Sequence, residues 1–224
     1  MNSSWDTTKT RSQYHFRTDT IDPAYDTVIP VGDIKPTWDT ELAEVIAQAR
    51  PVTWRTRSKP GDPKQRNNED YDREEYDLER AGMSKGYVLT NMEYNIAPVF
   101  QRLADAFGME DTMARVHVQQ PGQVWNLHLD KLEKWMPEDP SRVGRYFVQL
   151  TPWQPGHFWA YGNYCWTGWS AGSITTFDWI NVPHCTANAG HTPRVTLQVT
   201  GVKTRATEQY INLLSSVQGN SNIV

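Results

Sequence analysis

The stretch GSITTFDWINVPHCTANAGHTPRVTLQVTG, residues 172 to 201, decides the fold class. Its flanks, GSITTFDWI (172–180) and RVTLQVTGV (194–202), are short runs of β-branched and aromatic residues with alternating character, and they read as strands. Between them ANAGHTP carries the residues of a turn. Working outward, ARVHVQQ (114–120) and GRYFVQLTPW (144–153) have the same strand character, and VWNLHLD (124–130) reads as extended. QPGQ, EDPS, QPG and AGS supply the turns between these runs.

The period changes upstream of residue 112. In TWDTELAEVIAQAR (37–50), Leu42, Val45, Ile46 and Ala49 recur at helical spacing, with Thr37 or Asp39 as the cap and Pro51 as the stop. A second helix is expected within NMEYNIAPVFQRLADAFGM (91–109), where Ile96, Val99, Phe100, Leu103 and Phe107 form one face and Gly108 supplies the end. Two helices followed by at least four or five short strands, without regular βαβ alternation, indicate an α+β, mainly-β chain: a sandwich or barrel with the N-terminal helices packed on one side. The first ~35 residues are polar and turn-rich. Residues 55–80 have almost no aliphatic content and are dense in charge, which fits either a solvated loop or a lid over a site.

With 224 residues the chain is long enough for one sizeable core. Its 22 basic and 26 acidic residues are mixed, which argues against a general nucleic-acid binder. No apolar run approaches the roughly 20 residues that span a bilayer, and the polar N-terminus lacks the apolar centre of a signal peptide. Two cysteines, Cys165 and Cys185, require no pairing, so a soluble cytoplasmic protein is expected. Ten Trp and ten Tyr against six Phe suit half-wet cavities as well as sheets.

His128-Leu129-Asp130 is the first chemical signal. On a strand, residues i and i+2 share a face, so imidazole and carboxylate can converge on Fe(II), Mn(II) or Zn(II). An H-x-D triplet also occurs by chance. A third ligand is His184, which follows a Pro at the end of an aromatic strand and precedes a turn; His191, inside the turn, is the rival. Ten residues after His184, Arg194 opens a β-rich run, and in an antiparallel hairpin both can face one cavity. A guanidinium there suits bidentate grip of a carboxylate, and Thr196 shares its strand face. Arg115, His117 and Gln119 alternate on one strand, and Asn126 shares the His128 face. Arg145 heads RYFVQL, where a strand-end surface cation is the alternative. Asn188 lies in the turn, where backbone geometry alone would justify it. Trp125 and Trp179 flank the ligand segments and either wall a pocket or pack the sheet.

Taken in order, His128-x-Asp130, His184 and Arg194-x-Thr196 resemble the pattern of Fe(II)- and 2-oxoglutarate-dependent oxygenases. RVHVQQPGQVWNLHLD is similar to the R…PG…H-x-D segment of the phytanoyl-hydroxylase and aspartyl/asparaginyl-hydroxylase branches, and residues 172–201 to their G…H…N…R segment. The resemblance covers roughly residues 112–203. Asp130 departs from those aspartyl hydroxylases that lack the carboxylate. The resemblance implies a single oxygenase domain (1–224), with a helical and loop region (1–111), a metal-binding double-stranded β-helix of jelly-roll, cupin-like type (112–203) and a C-terminal tail (204–224). It implies His128, Asp130 and His184 as iron ligands and catalytic centre, with Arg194 and Thr196 on the distal carboxylate of 2-oxoglutarate. Arg115, Gln119 and Asn126 would reach the cosubstrate, and His117, Trp125, Arg145, Trp179 and Asn188 would line the pocket. The implied reaction consumes O2 and 2-oxoglutarate and hydroxylates a small-molecule or peptidyl substrate, with an amino-acid or peptidyl side chain favoured. A cupin-type metalloenzyme without 2-oxoglutarate and a non-catalytic β-sandwich binding module are the alternatives; Arg194 discriminates against the first.

Overall fold

The computed structural model of the protein describes residues 28–52, 89–92 and 96–220. The charged segment 55–80, with Arg55 and Arg57, lies outside the described residues.

Strand β11 (Arg194–Val202) organises the molecule. Its alternation sends Val195, Leu197 and Val199 to one face and Arg194, Thr196, Gln198 and Thr200 to the other, and all nine of its residues are buried. It sits in the middle of an antiparallel seven-stranded sheet, between β4 (Glu110–Gln119) and β6 (Val143–Gln149). Beyond β6 come β9 (Ser173–Thr176) and β1 (Ile29–Asp33); beyond β4 come β3 (Leu89–Met92) and β2 (Arg50–Val52). A second antiparallel sheet has the order β5-β10-β7-β8, formed by Val124–His128, His184–Asn188, His157–Tyr161 and Tyr164–Trp166. From β4 to β11 the chain passes repeatedly between the two sheets, and the architecture is mainly β.

The outer face of the large sheet carries the main core. Val116, Val118, Val148 and Leu197 pack there against helices α1 (Asp39–Gln48), α2 (Pro98–Asp105) and α3 (Arg205–Asn220), which contribute Val45, Phe100, Ala104 and Leu214. Burying four such sheet side chains stabilises the fold by about 1.5–3 kcal/mol each. The space between the sheets is divided. The side of β6, β7 and β9 is filled by Phe147, Trp159, Tyr161 and Phe177, whereas the side of β4, β10 and β11 carries polar residues.

Several local expectations are corrected. Neither Thr37 nor Asp39 caps α1. The residue before the helix is Trp38, which is anchored instead by burial, by its indole N–H on the Leu150 carbonyl at 3.0 Å and by Phe100. The second helix is shorter than its apolar period, because Pro98 cannot continue a helix inward and holds Ala97 extended (ψ 147°). Leu89–Met92 upstream is a strand, while Phe107 packs from beyond the helix end. The segment read only as a C-terminal tail contains α3. Thr204 caps it, accepting from the backbone N–H of Ala206 and Thr207, while the Thr207 hydroxyl accepts from Thr204 N–H. The Thr204 hydroxyl also donates to the Gly108 carbonyl at 2.6 Å, tying α3 to the end of α2.

Candidate metal centre and carboxylate site

Strand pairing brings the two histidines together. His128, the last residue of β5, is the cross-strand partner of His184, the first residue of β10, and their rings lie 4.3 Å apart. His184 therefore opens a strand rather than ending one. Asp130 is not on a strand: β5 stops at His128 and residues 129–132 belong to no element. Simple i, i+2 alternation is thus not what aligns the carboxylate. Its Oδ1 is 3.8 Å from His128 Nε2 and its Oδ2 is 3.7 Å from His184 Nε2. All three residues are buried, and one ligand atom from each lies within 4.8 Å of the others. The rival His191 is exposed on the turn.

The protonation states suit a cation. His128 Nδ1–H donates to the Asn126 carbonyl at 2.7 Å, which leaves Nε2 as the lone-pair atom facing the triad. The Trp125 indole N–H donates to that Nε2 at 3.1 Å, so an ion must displace this hydrogen bond. Burial, reinforced by His184 alongside, lowers the His128 pKa to about 3, and burial likewise lowers that of His184. For Asp130, burial pushes upward, but the Arg145 guanidinium and the two imidazoles outweigh it and hold the carboxyl at about 2. Two neutral imidazoles and one carboxylate form a donor set that can hold a divalent metal ion such as Fe(II), Mn(II) or Zn(II).

Arg145, on β6, reaches across from the large sheet. Its Nη1 is 2.5 Å from Asp130 Oδ1 and its Nε donates to Thr200 Oγ1 at 3.1 Å. It is not a surface cation.

A second polar cluster lies further along the same interior. Arg194 is 3% exposed and sits with its guanidinium carbon 4.6 Å above the centre of the Trp159 ring. Nε and Nη2 donate to Gln119 Oε1 at 3.0 and 2.8 Å, and Nη1 donates to Thr196 Oγ1 at 3.0 Å. Gln119 in turn donates to the carbonyl and hydroxyl of Thr186, and the Thr196 hydroxyl donates to Gln149 Oε1. His184 and Arg194 are not on the two arms of a hairpin. β10 and β11 belong to different sheets, and the turn between them carries the chain across. That turn is fixed by Asn188, whose Nδ2 donates to the carbonyls of Gln119 and Thr192 and whose Oδ1 accepts from Gly190 N–H.

The remaining sequence candidates divide. Arg115 and His117 share the face of Gln119 on β4, opposite Gln198 and Thr196 of β11. Asn126 acts through its backbone carbonyl. Trp179 belongs to the aromatic packing and donates to the Val143 carbonyl at 2.8 Å. Gln149, Trp159, Tyr161, Thr186, Gln198 and Thr200 were missed. Gln149 and Gln198 had a readable signal: on strands of alternating character Gln149 shares the parity of Arg145 and Gln198 that of Arg194 and Thr196, so each faces the same side as those arginines.

No protein-family model and no curated protein matches the chain. Among solved structures it is similar to a prolyl-4-hydroxylase from Pseudomonas putida, at 20% identity and TM-score 0.40, over 52% of this chain and 71% of that one. It is also similar to a cupin 2 conserved barrel domain protein from Salinispora arenicola, at 10% identity and TM-score 0.32, over 55% and 83%. A predicted oxalate decarboxylase from Thermotoga maritima is similar at 12% identity and TM-score 0.34, over 51% and 81%. Among the described residues no helix is long and apolar enough to cross a membrane.

Proposed function

We propose that the protein is an Fe(II)- and 2-oxoglutarate-dependent oxygenase that hydroxylates an amino-acid or peptidyl side chain, with release of succinate and CO2. The observation that carries this reading is the shared interior of the donor triad and the Arg194 fork. Tyr161 and Trp159 are successive inward residues of β7. Tyr161 pairs with His184, while Trp159 pairs with Thr186 and lies under Arg194. Along β7 the two sites are thus one two-residue repeat apart in register, on the same interior. A diacid bound there would have one carboxylate on the fork and its keto-acid end toward the metal. The distribution of β4 to β11, with β4, β6, β9 and β11 in the seven-stranded sheet and β5, β7, β8 and β10 in the four-stranded one, supports a double-stranded β-helix core.

His128 Nε2, an Asp130 oxygen and His184 would hold the ion. Bound iron, with O2 and 2-oxoglutarate, would supply the oxidising chemistry, and the protein supplies orientation. Arg194, held by Gln119 and Thr196, fixes the direction of the diacid. Phe147, Trp159, Tyr161 and Phe177 keep water from one whole side of the interior. The amino-acid or peptidyl nature of the substrate rests on the sequence resemblance.

The test is calorimetric titration of Mn(II)-loaded protein with 2-oxoglutarate, followed by succinate release in the presence of Fe(II), O2 and candidate peptides. Saturable binding that disappears with succinate replacing 2-oxoglutarate, and that needs the metal, supports the reading. Metal binding without 2-oxoglutarate binding would leave a cupin-type metalloenzyme of other chemistry, and no metal binding at all would leave a binding module.

A further inference from the structure

We infer that Arg145 is the positioning residue that fixes the third metal ligand, holding Asp130 to a single ligating oxygen; this rests on the metal-centre reading above. Both histidines are set by backbone pairing within one sheet, His128 against His184. Asp130 has no such support, since it lies in the connection beyond β5. Its carboxylate is held from the opposite sheet instead.

Arg145 is suited to this because it is itself held on two sides. Its cross-strand partner on β11 is Thr200, whose hydroxyl accepts from Arg145 Nε at 3.1 Å and from Gln198 Nε2 at 3.4 Å. On the other side, its own carbonyl accepts from the Thr176 hydroxyl at 2.8 Å. A guanidinium is planar and rigid, so fixing Nε fixes the direction of Nη1, which contacts Asp130 Oδ1. With Oδ1 engaged, Oδ2 is the oxygen left to the ion; it lies 3.7 Å from His184 Nε2. The consequence is coordinative. A carboxylate bound through one oxygen would leave more of the ion's coordination sphere to a chelating cosubstrate and O2 than one bound through both.

Arg145 also places a positive charge beside a cation site, which by itself weakens metal binding. Charge-conserving substitutions separate the two effects. The experiment titrates Mn(II) into apoprotein and follows the EPR signal of the free ion, with circular dichroism confirming that each variant is folded. Arg145→Lys keeps the charge but loses the fork, and metal affinity is expected to fall about tenfold. Thr200→Val leaves the charge in place and removes the support of Nε, giving a smaller loss in the same direction. In an Asp130→Ala background both substitutions are expected to have no further effect, because Arg145 then has no ligand to position. Wild-type affinity in Arg145→Lys would overturn the inference, as would a loss that persists undiminished in the Asp130→Ala background. A wild-type protein that binds no Mn(II) would overturn the metal-centre reading and this inference with it.

Discussion

Arg194→Lys isolates the carboxylate site from the metal site. The guanidinium donates two hydrogen bonds to Gln119 Oε1 and one to Thr196 Oγ1, and its carbon lies 4.6 Å from the centre of the Trp159 ring. An ammonium keeps the charge but cannot donate in a fixed plane to both residues and to a bound carboxylate. Losing one charge-assisted hydrogen bond costs about 1.5–3 kcal/mol. The dissociation constant for 2-oxoglutarate on Mn(II)-loaded protein is therefore expected to rise by roughly 10- to 150-fold. Leaving Gln119 Oε1 short of donors adds about 1–3 kcal/mol of destabilisation, and each kcal/mol lowers Tm by about 2–4 °C for a chain of this size. Mn(II) affinity should not change, since the charge is conserved and the grouped donors are His128, Asp130 and His184. Calorimetry with the metal and then with 2-oxoglutarate reads both quantities on one sample. Unaltered 2-oxoglutarate affinity in folded Arg194→Lys would refute the assignment of the fork. Loss of metal and cosubstrate together would refute the separation of the two sites.

His184→Ala should sharply weaken Mn(II) binding in the same assay, whereas His191→Ala, on the exposed turn, should leave it at the wild-type level. Gly156 has φ +93°, and a Cβ there would overlap the backbone of Gly190 in the turn that delivers Arg194. Gly156→Ala is expected to cost about 1–3 kcal/mol and to weaken 2-oxoglutarate binding while sparing the metal, as thermal melts and calorimetry would show. Leu197→Ala, fully buried on the helix-facing side of β11, should destabilise by about 2–5 kcal/mol in urea unfolding without changing either binding site. The pH dependence follows from the sign of the His128 shift. Its folded pKa, lowered to about 3, lies below the unfolded value of about 6.5, so the unfolded chain takes up the proton first. Apoprotein stability should accordingly fall as pH drops from 7 to 5, and added Mn(II) should offset part of the loss. Asp130 adds no pH dependence in that interval, because its stabilisation is fully present there and is lost only below about pH 4, as pH falls toward 2. A flat apoprotein Tm between pH 7 and 5 would contradict this account.

The period-2 runs were legible because the alternation of β11 is written in consecutive residues: Val, Leu and Val toward the helices, Arg, Thr, Gln and Thr toward the interior. The donor chemistry was equally local. His128, Asp130 and His184 could be named from residue type and order, and the structure does bring them together. Boundaries and caps were less legible: Pro98 cut the second helix short of its apolar period, and the Thr204–Thr207 cap was passed over because its residues lie in a polar stretch.

What the sequence determined by itself is which residues carry the donor groups suited to a cation or a carboxylate and which backbone segments alternate between two faces. These depend on side-chain chemistry and on neighbours one or two positions away. Only the tertiary structure decided how those faces meet. It placed His184 and Arg194 on different sheets, held Asp130 by Arg145 rather than by strand alternation, and set Trp159 beneath the Arg194 fork. Each of these contacts joins residues whose separation in space depends on strand order and register across two sheets, and no local spacing in the chain encodes that.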